Sequence, residues 1–206
     1  MVGLDIILNA TWDHIILVYT TLLISIIVSI PLAFVSLYSQ KLEFIVMKFV
    51  NLVQAVPSFA VVAIMVPLIG IGFKPAVVAI MLRALLPIVK NTYIGLKNVD
   101  PALIDYAEGV GLSQWHINRY IRLPNAYPAM FAGIKFAGIL ANSIAVLTAF
   151  IGSGGLGEII FQGLIGYNTS TLLAGAIPAI MLAILIDRTF TILERKVTPG
   201  YGHIKG

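Results

Sequence analysis

Four long stretches of the sequence contain no charged residue, and this restricts the chain to folds that a lipid bilayer can hold. Each stretch exceeds the ~20 residues that a helix needs to cross the hydrocarbon layer. A fifth stretch is similarly apolar but includes Arg83 and Lys90. With 59% hydrophobic and 11% charged residues, the chain lacks the polar surface of a soluble globule. The charge-free stretches are residues 15–40, 49–73, 136–157 and 159–186.

We therefore predict an all-α membrane protein that forms a single transmembrane domain over residues 1–206. Five membrane spans are predicted. Short turns join the first three, and a glycine-rich turn followed by an interfacial segment, residues 159–168, lies between the fourth and the fifth. Between the third and the fourth, a longer segment, residues 98–127, is predicted to be a cytoplasmic loop. The predicted spans are residues 15–40, 44–69, 75–97, 128–151 and 170–191.

The distribution of Lys and Arg predicts the orientation. Because cytoplasmic segments carry an excess of these residues, the N-terminus is predicted outside and the C-terminus inside, with Lys74 on the outer side. This bias accounts for the net charge of +4, so no nucleic-acid partner is predicted. The residues then placed in cytoplasmic segments are Lys41, Lys97, Arg119, Arg122, Arg195, Lys196 and Lys205.

The chain contains no cysteine, which excludes disulfides and thiolate metal sites. Its three histidines, His14, His116 and His203, have no ligand spacing, and we place all of them outside the spans or at their edges. No metal site is predicted.

Residues 105–124, DYAEGVGLSQWHINRYIRLP, form the longest polar interruption and are predicted to contain two short helices. Asp100 can cap the first helix, which Gly109 and Gly111 end. Ser113 can cap the second helix, which is predicted to end near Pro124. A glycine between two short helices is also typical of DNA-binding helix-turn-helix proteins, but the flanking membrane spans argue against that alternative.

The spacing D-Y-A, three residues, Gly111, nine residues and I-R-L-P resembles the EAA loop of bacterial ABC importer permeases. In that family the loop docks onto a separate ATPase subunit. By position, Asp105 replaces the Glu of the motif on a shorter stem, and Tyr106 replaces a small Ala. The resemblance assigns ATPase coupling to Asp105, Tyr106, Ala107, Gly111, Ser113, Trp115, Ile121, Leu123 and Pro124.

A second motif, QAVPS at residues 54–58, resembles an element of permeases for osmoprotectants such as glycine betaine, carnitine and choline. The similarity extends to residues 67–77 and 91–103. Within one helix, Gln54 and Ser58 would share a face, and Pro57 would leave a carbonyl without its partner.

Polar groups inside a span are costly in lipid and are expected to face a wet path or a partner. If Arg83 lines such a path, it should have a counter-charge. The alternatives are a self-satisfied helix kink at the QAVPS motif, snorkelling of Arg83, and an interhelical hydrogen bond of Asn142 or Ser143. The candidate residues of a translocation path are Gln54, Pro57, Ser58, Arg83, Asn142 and Ser143.

The sequence GSGGLGE at residues 152–158 superficially resembles a phosphate-binding loop, but Glu158 occupies the position where such a loop needs Lys. Nucleotide binding is therefore excluded there. Osmoprotectant and methionine importers carry a similar G-x-G-G-L-G string. The glycines predict a tight re-entrant turn near the outer mouth, formed by Gly152, Gly154, Gly155 and Gly157.

The resemblance covers residues 15–195 and implies a type I, methionine-importer-like permease of the bacterial inner membrane. Such a subunit imports a small quaternary ammonium compound by alternating access and is not itself an enzyme. The implied partners are ATPase subunits that hold ATP and magnesium, a second permease copy or paralogue, and an external substrate-binding protein or domain. This chain would hold no cofactor.

Three alternatives remain open at this point. The chain could be a permease for another solute, such as an amino acid or ergothioneine. It could be a membrane component that captures a substrate without its own access switch, although such a chain would lack a long coupling loop. An intramembrane serine protease is disfavoured, because Ile151 stands where the nucleophile motif around Ser153 needs a glycine.

Overall fold

The computed structural model describes residues 2–198, so His203 and Lys205 lie outside the described residues. Within this range the secondary structure is helical, and no β-strand occurs. A π-helical turn (Asn118–Arg122) precedes α7, and a 3₁₀ turn (Ala149–Ile151) follows it. The helices are α1 (Leu4–Val35), α2 (Gln40–Ala55), α3 (Ser58–Ile69), α4 (Phe73–Lys97), α5 (Pro101–Gly109), α6 (Gln114–Ile117), α7 (Leu123–Thr148), α8 (Leu156–Ile165) and α9 (Thr169–Val197).

Helix α4 lies at the centre of the bundle, where it packs against α1, α2, α3 and α7. Its small side chains at Ala76, Ala79 and Ala84 have no exposed surface. At 25 residues it is about 37 Å long, so its two ends mark opposite ends of the bundle. The loop of residues 98–127 follows one end, and a turn at Gly70–Gly72 precedes the other.

The α4–α7 contact is close because α7 presents small residues at intervals of four. Ala137 and Ala141 are completely buried. A Cβ built at Gly133 would lie only 2.6 Å from the carbonyl oxygen of Pro87 on α4. Small residues at a helix interface let the backbones approach, and this approach maximises dispersion contacts in a setting where lipid weakens the hydrophobic effect.

The expectation of one unbroken helix through the second predicted span, residues 44–69, is wrong. The chain bends by 99° between α2 and α3. Pro57 has no N–H to continue the helix, and the residue before it, Val56, is held in an extended conformation with ψ 132°. Gln54 and Ser58 therefore belong to different helices and do not share a face.

Three helical segments of residues 2–198 are long and apolar enough to cross a membrane: α1, the continuous stretch Gln114–Ile151, and α9. Counting the bent α2–α3 pair as one span raises this number to four. The remaining predicted span, residues 75–97, corresponds to α4, which carries several charges. The total of five spans stays a prediction.

Two further boundaries differ from the prediction. Helix α1 begins at Leu4, because the charges of Asp5 and Asp13 interrupt the apolar run without interrupting the helix. His14 consequently lies well inside α1 and is completely buried, so its predicted place at the edge of a span is wrong.

The prediction that the second helix of the loop ends near Pro124 is wrong. That helix passes through the π-helical turn into α7, and Pro124 lies in the first turn of α7.

We expect Gly133→Ala to lower the stability of the detergent-solubilised protein. Its new methyl group would meet a backbone oxygen, and such overpacking typically costs about 1–3 kcal/mol, against the gain of about 1 kcal/mol of Ala over Gly in a helix. Gly109→Ala is the matched control, because a Cβ there meets no atom within 4 Å. Thermal unfolding followed by size-exclusion chromatography measures both, and equal melting temperatures would contradict the packing argument.

Candidate functional site

Arg83 of α4 binds the backbone at the break between α2 and α3. Its Nη1 donates hydrogen bonds to the carbonyl oxygens of Val53 at 3.1 Å, Gln54 at 3.1 Å and Val56 at 2.8 Å. The last carbonyls of any helix lack intrahelical partners, and Pro57 removes one more donor here. A single guanidinium nitrogen thus binds three of the acceptors that the break leaves open.

The contact is reciprocal. The side-chain Nε2 of Gln54 donates to the carbonyl oxygen of Arg83, so α2 and α4 are joined in both directions. Arg83 is half-buried, and its Nε is buried without a hydrogen-bond partner in residues 2–198. The partners of Arg83 are carbonyl dipoles at the negative end of α2, which is a different solution from both the counter-charge and the snorkelling expected from sequence.

The other candidates of the translocation path lie apart from this contact. Asn142 is buried, and its Nδ2 donates to the carbonyl oxygen of Ala179 on α9 at 3.1 Å, which is the interhelical bond of the alternative interpretation. Ser143 is exposed and donates to its own helix at Ile139. The structure therefore brings Gln54, Pro57 and Arg83 together, with Ser58 at the start of α3, and leaves Asn142 and Ser143 in another contact.

At the end of the bundle where α4 ends, helices α5 and α6 form the predicted helical pair. The Asp100 carboxylate caps α5 by accepting from the N–H of Ala102 at 2.9 Å. Gly111 has φ +84°, a left-handed conformation that favours glycine, and lets the chain reverse into α6. Gln114 donates to Glu108 at 2.8 Å and joins the two helices.

The surface of this pair carries aromatic and cationic side chains. The Arg119 guanidinium lies 5.1 Å from the Trp115 ring centre and 5.7 Å from that of Tyr120. His116 stacks on Tyr120 at 6.0 Å. Trp115 is 58% exposed and Tyr120 is 61% exposed. We call these four residues the aromatic–cationic cluster; its cation–π contacts, worth about 0.5–1 kcal/mol each at exposed sites, favour one mutual arrangement of these side chains.

The predicted coupling residues divide into an exposed and an anchoring group. Asp105, Tyr106, Gly111, Ser113 and Trp115 are exposed. Ala107 is buried, and Ile121, Leu123 and Pro124 are half-buried at the start of α7. Next to them, Arg122 donates from Nη1 to the carbonyl oxygen of Leu96 at 2.9 Å. The I-R-L-P part of the motif thus attaches the loop to α4, while the first part of the motif is exposed at the surface.

At the opposite end of the bundle, the glycine-rich segment forms a tight turn. Gly152, Gly154 and Gly155 have φ of +74°, +77° and +85°. Gly157 lies in the first turn of α8, where a Cβ would collide with the Val146 carbonyl oxygen. These glycines therefore serve both the turn and the close approach of α8 to α7.

Sequence reasoning missed His14, which supports this turn from α1. A Cβ built at Gly155 would lie 3.1 Å from the Nδ1 of His14. The buried positions of α1 include His14, Val18, Thr21, Ser25 and Ser29, which recur at helical spacing. That periodicity is the sequence feature from which the burial of His14 could have been predicted. No group of three or more His, Asp or Glu in residues 2–198 could hold a metal ion.

Comparison with known proteins identifies relatives over nearly the whole chain. The family described as binding-protein-dependent transport system inner membrane component matches residues 23–199. The chain is 40% identical over 192 residues to the glycine betaine/carnitine/choline transport system permease protein OpuCB of Bacillus subtilis, which covers 93% of this chain and 88% of that protein.

Two further relatives have similar names. The choline transport system permease protein OpuBB of Bacillus subtilis is 37% identical, covering 94% of this chain and 89% of its own. The carnitine transport permease protein OpuCB of Listeria monocytogenes is 35% identical, covering 92% and 87%. These relatives confirm the resemblance to osmoprotectant permeases that the two sequence motifs indicated.

Solved structures agree on the fold. A chain of the MetNI methionine ABC transporter in an inward-facing conformation superposes with a TM-score of 0.86 at 22% identity, covering 95% of this chain and 97% of that one. The predicted all-α, methionine-importer-like fold is confirmed.

For the glycine turn we expect Gly155→Ala to destabilise the protein more than Gly152→Ala. Both positions have positive φ, but Gly152 lies in the left-handed region at ψ 29° and Gly155 at ψ −172°, which only glycine adopts readily. A methyl group at Gly155 would also press on His14, whereas none of the surrounding atoms lies within 4 Å of a Cβ at Gly152. Thermal unfolding of the two purified variants gives the comparison, and the reverse order would refute it.

Proposed function

The chain belongs to the family of binding-protein-dependent transport system inner membrane components, and from this premise we propose that it imports quaternary ammonium osmoprotectants as the permease subunit of an ABC transporter. The observation that carries the substrate class is the 40% identity, over 93% of the chain, to a glycine betaine/carnitine/choline permease. It is a multi-pass protein of the inner membrane. The N-terminus lies outside, the C-terminus lies inside, and the loop of residues 98–127 faces the cytoplasm.

The aromatic–cationic cluster is the surface that receives a separate ATPase subunit. Trp, Tyr and Arg are the residue types that most often dominate the binding energy of protein interfaces. Here they are exposed and mutually oriented, with the Arg119 guanidinium 5.1 Å from the Trp115 ring. ATP and magnesium are held by that partner, which carries out the hydrolysis.

Movement of the ATPase is transmitted mechanically. The Gln114–Glu108 hydrogen bond holds α5 against α6, and the Arg122–Leu96 hydrogen bond ties the loop to the end of α4. Because α4 packs closely on α7, a displacement of the loop moves the centre of the bundle as a unit. This rigid connection supports alternating access and disfavours a capture component without an access switch.

A single bundle of this size is too small to enclose a path for a solute. We therefore place the path between this chain and a second permease copy or a paralogue. An external binding protein or domain delivers the solute at the end that carries the glycine turn. The α2–α3 break with Arg83 belongs to the path, as discontinuous helices do in other transporters.

Reconstitution tests the function directly. The permease is co-purified with its ATPase, placed in proteoliposomes with the binding protein, and supplied with radiolabelled glycine betaine, carnitine, choline or methionine. We expect saturable, ATP-dependent uptake of at least one quaternary ammonium compound. Uptake of methionine without any of the other three would overturn the substrate class and favour the amino-acid alternative.

We expect Gly111→Pro to uncouple transport from hydrolysis. Proline fixes φ near −65°, whereas Gly111 has φ +84° and its N–H donates to the Glu108 carbonyl oxygen at 2.9 Å. The distorted loop should reduce uptake about tenfold or more, equivalent to ~1.4 kcal/mol in the transition state, while ATP hydrolysis continues.

Gly109→Ala is the control for this variant, because it changes a glycine of the same loop at a position where a Cβ meets no neighbour. Uptake and phosphate release are measured in the same vesicles. Normal uptake by Gly111→Pro would remove the coupling role from the loop.

A further inference from the structure

The guanidinium of Arg83 is held by hydrogen bonds on one side and makes none on the other within residues 2–198. All three of its hydrogen bonds leave from Nη1 and end on carbonyls of the α2–α3 break. Nε is buried without a partner in the described range, residues 2–198. Nε and Nη2 form one edge of the planar group, and this edge is the one that pairs with both oxygens of a carboxylate.

The surrounding chain supplies no anion for that edge. The sequence contains no Asp or Glu between Glu43 and Asp100, so α3 and α4 lack acidic residues entirely. The ion pairs within residues 2–198 join Lys97 to Glu43 and Lys135 to Glu194, and neither includes Arg83.

Carbonyl dipoles satisfy hydrogen bonds but leave the net charge of the guanidinium in place. A charge inside a membrane domain is expensive, and such residues usually serve a ligand or an ion path. Fixing Nη1 on three carbonyls also orients the unpaired edge, so less conformational entropy is lost when a ligand binds there.

We propose that Arg83 binds the carboxylate group of the solute during its passage, through Nε and Nη2. The proposal rests on the proposed function, since it concerns how that transporter selects its solute. Zwitterions such as glycine betaine and carnitine carry a carboxylate beside the quaternary ammonium group, whereas choline has a hydroxyl. Arg83 therefore favours carboxylate-bearing solutes over purely cationic ones.

Three variants separate this role from a merely structural one. Arg83→Gln removes the charge and the two-pronged edge but retains an amide that can donate to the break. Arg83→Lys retains the charge without the planar fork. Lys90→Gln is the control, because it removes a positive charge from an exposed position of the same helix.

The measurement is the KM for uptake of glycine betaine and of choline by the reconstituted complex. We expect Arg83→Gln to raise the KM for glycine betaine about tenfold or more, as for loss of a charge-assisted bidentate contact, with choline uptake nearly unchanged. Arg83→Lys should be intermediate, and Lys90→Gln should match the wild type.

An equal change for both solutes, or no change for glycine betaine, would overturn the proposal, as would a wild-type complex that carries choline and no carboxylate-bearing solute. A wild-type complex that carries neither solute nor any other quaternary ammonium compound refutes the proposed function itself. The two failures are thereby distinguished.

A second measurement on the wild-type complex does not depend on the folding of the variants. Arg83 is modified with a phenylglyoxal reagent and quantified by peptide mass spectrometry. Glycine betaine should slow the modification and choline should not. Equal protection by both, protection by neither, or complete resistance of Arg83 to the reagent would each contradict a carboxylate site.

Discussion

The requirement that no backbone polar group remain unsatisfied within a membrane domain governs this structure, and the contact of Arg83 with the α2–α3 break is where that requirement is most demanding. Pro57 stops α2 and leaves carbonyls that lipid cannot satisfy. One guanidinium nitrogen accommodates three of them, and Gln54 returns a hydrogen bond to α4. A discontinuous helix is thereby made compatible with a tightly packed bundle.

Close packing connects this contact to the two ends of the molecule. Helix α4 extends from the turn beside Ile151, whose carbonyl accepts from Gly72 at 2.6 Å, to Leu96, whose carbonyl accepts from Arg122. Gly133 allows α7 to lie directly against it. Helix α4 therefore connects the helical pair α5–α6, the helix break and the glycine turn within one closely packed element.

The helical pair α5–α6 shows which structural features can be predicted from short-range sequence features and which cannot. The caps at Asp100 and Ser113 and the reversal at Gly111 follow from short-range chemistry, and the structure contains all three. The spacing of the motif, however, gave no indication that Ile121, Leu123 and Pro124 would anchor the loop while Trp115 and Tyr106 face outward. That division depends on which residues meet α4, and such contacts are remote in sequence.

The sequence by itself determined the helical membrane class, the family resemblance and the positions of the polar residues, since these follow from hydropathy, proline and glycine placement, and motif spacing. Tertiary structure decided what the polar residues contact. Arg83 donates hydrogen bonds to carbonyls 27 to 30 residues away, Asn142 donates one to the Ala179 carbonyl, and His14 lies against the glycine turn. A charged residue in an apolar run indicates that its side chain needs a polar partner, but only the packing of distant helices determines which group is that partner.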